Sequence, residues 1–163
     1  MRTAFSVCCL ILMHSGAAQT GDASPSRLIG TWASAESLYA GDTGQSELYL
    51  ESDGFGIMVG STKPAMLVDG SASTHPGPRA IIGFPIRASL DGDAITLVPT
   101  ILDKKNGNGP AFGIACRYEE DVPALVCATP EGLLTLKRRS ENLSAEVVQT
   151  ITQLRASLPA LSK

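Results

Sequence analysis

The stretch from Phe112 to Arg139 sets the terms for the rest of the chain. It carries two successive hairpin patterns, and Cys116 and Cys127 fall in the first. The turn of that hairpin is Glu120-Asp121-Val122-Pro123, and a centre between Asp121 and Val122 sets Cys116 directly across from Cys127. Opposed residues of an antiparallel pair hold their Cβ atoms about 4.5–5.5 Å apart, so a disulfide needs only slight local closure. Ile114, Cys116 and Tyr118 share one face of the first arm, and Leu125 and Cys127 share one face of the second. Both sulfurs therefore sit among apolar neighbours, as alternation in a half-buried strand requires. The spacing is not C-x-x-C and no histidine lies near, which argues against a metal or redox pair. A structural disulfide is expected, worth ~3 kcal/mol on the chain-entropy account.

A second, independent feature points to the same oxidising compartment. Residues 1–18 read as a secretory signal peptide: Arg2 in the n-region, a short apolar run from Phe5 to Met13, and small residues from Ser15 to Ala18. Gly16 and Ala18 suit the −3 and −1 positions, and a cut after Thr20 also fits. The run is too short to span a bilayer. Cys8 and Cys9 leave with the peptide, so the mature chain keeps an even pair of cysteines. A periplasmic or secreted location is expected. Losing Arg2 takes the formal charge from −3 to −4, an acidity that disfavours nucleic acid and anionic membrane as partners. No later apolar run is long enough for an integral membrane segment.

With 44% hydrophobic and 18% charged residues the chain has a globular rather than a disordered composition, and its length fits one domain. Residues 19–26 read as a flexible lead-in, and residues 27–160 as a single barrel domain. A first strand runs from Leu28 towards Tyr39, and Gly41-Asp42-Thr43-Gly44 turns into Glu47–Glu51. Asp53-Gly54 is the strongest hairpin signal and leads into Phe55, Ile57 and Val59, with Met66-Leu67-Val68 as an extension or a separate short piece. After a loop from Asp69 to Pro78, Arg79–Leu90 forms a strand bent at Gly83 and Pro85. Asp91-Gly92-Asp93 turns it into Ala94–Thr100, and a second loop spans Asp103–Pro110. Ala111–Glu119, Ala124–Thr129 and Leu133–Arg139 complete the strands. The period then changes from two to 3.6: Val147, Ile151, Leu154 and Leu158 make a stripe on a helix spanning 145–158. Ser144 caps that helix, Glu146 complements its positive end and Arg155 its negative end. Short hairpin-linked strands with no helices between them predict an all-β, eight-stranded antiparallel up-and-down barrel with one C-terminal helix. An open sheet curled over the helix is the alternative.

Gly30-Thr31-Trp32, at the start of the first strand, resembles the G-x-W signature of the lipocalin-like superfamily of small bacterial β-barrels. In that family an arginine at the end of the last strand packs across the tryptophan. Arg138 is the match, because alternation places it with Leu134 and Leu136. The resemblance implies structural closure by Trp32 and Arg138, a contact worth ~1–2 kcal/mol when desolvated. It also implies a cavity at the open end, lined by Phe55, Ile57, Ile86, Ile95 and Leu97 and rimmed by the two loops.

Catalytic chemistry finds no support in residue types. His75 is the one histidine left after cleavage, and Asp69, Ser71 and Ser73 are merely its neighbours along a loop; no G-x-S-x-G elbow exists. The glycine triplets beginning at Gly54 and Gly107 have the wrong last spacing for a dinucleotide fingerprint and precede no helix. Asp91-x-Asp93 and Glu119-Glu120-Asp121 lack the calcium-loop pattern, and Lys137-Arg138-Arg139 is too short a run for nucleic acid. Asn142-Leu143-Ser144 has the form of a glycosylation acceptor. The expected protein is therefore not an enzyme and needs no cofactor or metal. Two functions fit: carriage of a small apolar or amphipathic ligand inside the barrel, or binding of an envelope protein, such as a cell-wall-active enzyme, by the loops. Interior volume separates them, with about 300 Å³ as the divide.

Overall fold

The computed structural model describes residues 25–66, 77–100 and 113–158. Residues 1–18, read above as a signal peptide, together with His75, Leu67-Val68 and the loop segments 69–76 and 103–110, lie outside the described residues. Eight strands follow in chain order: β1 (Gly30–Ala33), β2 (Ser46–Leu50), β3 (Phe55–Ser61), β4 (Ile81–Asp91), β5 (Ala94–Pro99), β6 (Ile114–Glu119), β7 (Ala124–Thr129) and β8 (Gly132–Ser140). Each pairs antiparallel with its successor, and β8 returns to β1, so the sheet closes. Helix α1 (Ala145–Ser157) follows β8 directly.

Turn chemistry sets the strand boundaries. At the β2–β3 turn Gly54 takes φ +77°, where an L side chain is strained, and Asp53 Oδ1 accepts the Phe55 N–H at 3.0 Å. The first strand is shorter than the sequence suggests and stops at Ala33. Ser34 supplies the reason: its hydroxyl bonds the Gln45 side chain and accepts the Ser46 N–H, both at 2.8 Å. The Ser34 N–H still donates to the Ser46 carbonyl at 2.9 Å, but the return bond from the Ser46 N–H goes to a side chain. Ahead of β1, Pro25–Leu28 forms a 3-10 turn. There Trp32 Nε1–H donates to the Leu28 carbonyl at 2.8 Å.

Alternation divides the apolar residues into two cores. Trp32, Leu48, Leu50, Ile86, Ile95, Leu97, Leu125, Cys127 and Leu136 are almost wholly buried and form one continuous interior cluster. Phe55, Ile57 and Ile151 form a second cluster, flanked by Tyr49, Val147 and Leu154, where α1 lies on the outside of β2 and β3. Ile151 is fully buried there, and burying a side chain of that size contributes about 1.5–3 kcal/mol.

The Cys116–Cys127 disulfide spans β6 and β7 at the register read from the turn, with Sγ–Sγ 2.05 Å. Both cysteines are buried in the interior cluster.

Candidate functional site

Of the residues expected to line a cavity, Ile86, Ile95 and Leu97 are in the interior cluster, but Phe55 and Ile57 are not. Register explains the correction. Ile86 stands opposite Gly56, while Phe55 and Ile57 stand opposite Arg87 and Pro85, so they belong to the other face of the sheet. Phe55 and Ile57 form the floor on which α1 sits. Among the described residues, the inward-facing side chains pack into one continuous cluster.

One end of the barrel is closed by stacked rings and guanidinium groups. Arg138 lies 4.7 Å from the centroid of Trp32, and its Nη2 donates to the carbonyls of Arg27 at 2.6 Å and Ile29 at 3.0 Å. Tyr118 meets Trp32 edge-on at 6.0 Å, and Arg27 covers Tyr118 at 5.6 Å. Arg27 also reaches the β4–β5 turn, donating to the Gly92 carbonyl and to Asp93. Gly30 makes the approach of β1 to β8 feasible. Its φ is +122°, and a Cβ there would lie 2.1 Å from the Ser140 carbonyl oxygen.

Beside this closed end, α1 and the β2–β3 turn meet in an ionic clamp. Arg155 donates from Nη1 to Asp53 and from Nη2 to Glu51, each at 2.5 Å, while its face covers the Phe55 ring at 4.5 Å. The hydrogen bond from Arg155 holds the Asp53 carboxyl below its ordinary value, against the opposing effect of partial burial. The guanidinium is raised in turn, chiefly by the bond to Asp53. Under the helix, burial and a hydrogen bond to Glu47 raise the Tyr49 phenol well above its usual value, so it stays a neutral donor.

The clamp forms part of one wall of an open groove of about 540 Å³ on the outside of the barrel. Ile29, Leu143 and Val148 supply its apolar lining; Glu51, Ser52, Asp53, Glu141, Asn142 and Arg155 supply its polar lining. A second depression, of about 330 Å³, lies on the outer face of β6–β8 among Ala115, Val126, Ala128 and Leu133. At the opposite end of the barrel Arg79 pins the β1–β2 loop to the base of β4. It donates to the carbonyls of Thr43 (2.6 Å), Thr62 (3.1 Å), Ala40 (3.3 Å) and Gly41.

Sequence reading placed Arg155 at the helix end but did not find its carboxylate partners, and it assigned no role to Arg79. The Asp53-Gly54 turn was a local signal for the first; a guanidinium donating only to carbonyls leaves no pattern in sequence.

Among the described residues no three histidine, cysteine or acidic side chains are placed to hold a metal ion. No helix among them is long and apolar enough to cross a membrane.

No family model and no curated protein matches the chain. Among solved structures, a lipoprotein YedD from Klebsiella pneumoniae subsp. pneumoniae is similar at 16% identity and a TM-score of 0.43, over 82% of this chain and 88% of that one.

Proposed function

We propose that this chain is a non-enzymatic, exported, lipocalin-like barrel that serves as an interaction module of the cell envelope, binding a partner protein on its outer surface. The observation that carries this reading is the packed interior, because a carrier needs an enclosed space for its ligand. Both grooves lie outside the barrel, where a partner reaches them without any opening of the strands. The leader-like segment 1–18 and the buried Cys116–Cys127 bond favour a periplasmic or secreted site of action. A cell-wall-active enzyme, inhibited or neutralised by the barrel, is the partner class that fits such a module.

Two measurements test it. N-phenyl-1-naphthylamine, a small apolar fluorophore, is expected to show no saturable binding to the folded protein. A stoichiometric blue-shifted complex, quenched on filling the interior by Ala88→Leu, would restore ligand carriage. Purified muramidases and amidases, assayed by clearing of cell-wall suspensions, are expected to include one slowed by an equimolar amount of barrel. Full activity of every such enzyme would remove this partner class.

A further inference from the structure

We infer that the groove between α1 and the closed end docks a basic segment of a partner protein. A lysine or arginine stem lies along Ile29, Leu143 and Val148, with its charged head at Glu141. This rests on the reading of the barrel as an interaction module and specifies the chemistry of what binds.

Charge and shape together select this occupant. The groove lining holds three carboxylates, from Glu51, Asp53 and Glu141, against one guanidinium, Arg155. Arg155 is already committed to Glu51, Asp53 and the Phe55 ring, so it offers little to an incoming anion. Glu141 differs from the other two carboxylates. Its side chain is 82% exposed, and its nearest cation, Arg138 Nη1, stands at 3.8 Å, beyond hydrogen-bond reach. Arg138 is itself held by Trp32 and two carbonyls. Arg87 also acts on Asp53, so the acceptor capacity left open beside the apolar strip is that of Glu141, whose carboxylate no hydrogen bond among the described residues holds. Long basic side chains match that pairing, since they bury an aliphatic stem and present a charged head. The groove is open along its length, which suits a segment laid across it; small-molecule sites enclose most of their ligand. The depression at Leu133 is lined by apolar residues and Arg117 and lacks the carboxylates, so it serves as an internal control.

The test uses a labelled, end-blocked hexapeptide alternating leucine and lysine, with a leucine–glutamate hexapeptide as counterpart, followed by fluorescence anisotropy at low ionic strength. The lysine peptide is expected to bind and the glutamate peptide not. Glu141→Lys reverses the charge of an exposed residue and should weaken binding at least about tenfold, the size expected for removing an interfacial charge partner. Glu131→Lys makes the same charge change in the β7–β8 turn, at the far end of the barrel, and should alter affinity less than about twofold. Unchanged urea midpoints in both variants establish that the fold is intact. Undiminished binding in Glu141→Lys overturns the assignment, as does an equal loss in Glu131→Lys, which would mark bulk attraction. Loss in Leu133→Ser alone would move the site to the other depression. Displacement of the peptide by an equal concentration of spermidine would make this a polyamine site instead. A dimer of the free protein that Glu141→Lys dissociates would make the occupant a second copy. Fluorophore exclusion reports only on the interior, so failure at the groove leaves the interaction-module reading standing. Saturable uptake of the fluorophore into the interior would overturn that reading without touching the groove.

Discussion

Arg138 divides its guanidinium between the face of Trp32 and the carbonyls of Arg27 and Ile29. A lysine has neither the plane to stack nor the fork to bridge two acceptors. Arg138→Lys should therefore lower stability by about 2 kcal/mol, the sum of a desolvated ring contact and a lost charged hydrogen bond. Arg139→Lys, one residue on and exposed, should stay within about 0.5 kcal/mol of wild type. Urea unfolding followed by the fluorescence of Trp32, the single tryptophan, reads both. This pair of positions also shows what a sequence can disclose about a contact. Alternation separates Arg138 from Arg139 and puts the first with Leu134 and Leu136, so the choice of arginine was legible. The role of Gly30 was not, because it depends on a carbonyl from β8, far along the chain.

At the scale of the element, α1 is held by one fully buried residue, Ile151, and one clamp, Arg155 with Glu51 and Asp53. The folded-state carboxyl of Asp53 titrates below its unfolded value, so its contribution is complete above the unfolded value and fades as pH falls through the folded one. Comparing urea midpoints of wild type and Asp53→Asn, the wild type should lead at neutral pH and the lead should vanish in strong acid. Asp53 and Arg155 are both nearly half exposed, so screening limits the lead to about 1 kcal/mol or less, and added salt should shrink it. The helix itself was readable from its cap and stripe, to within one residue at its C-terminal end. Its landing place was harder. β3 is apolar on both faces, with Phe55, Ile57 and Val59 on one and Met58 on the other, and a period of two separates faces without saying which is inward. A strand that is apolar on both sides is itself a sign that something covers the outside.

For the whole molecule, the turn-centred count that paired Cys116 with Cys127 also fixed the register of β6 on β7. The double variant Cys116→Ala/Cys127→Ala should unfold about 2–4 kcal/mol more easily, as for loss of a bridge closing a short loop. Equal urea midpoints for the oxidised wild type and the double variant would show the bond to be dispensable. Strand number, closure and the terminal helix were all legible, because each hairpin announces itself locally through its turn. How far side chains fill the bore was not, since filling depends on how side chains from opposite walls meet, and a period of two records only that they point inward.

Barrel closure has a consequence for the order of events in assembly. Arg138 and its acceptor on Arg27 stand 111 positions apart, and β1 finds its second neighbour only in β8. Non-local pairings of this kind slow folding, because the loop entropy is lost before the contact is made. A growing chain emerges with its amino end first, so Trp32 waits uncovered until the last strand is made. Any truncation before Arg138 leaves that indole bare beside an unzipped edge, the kind of surface that chaperones and proteases seize.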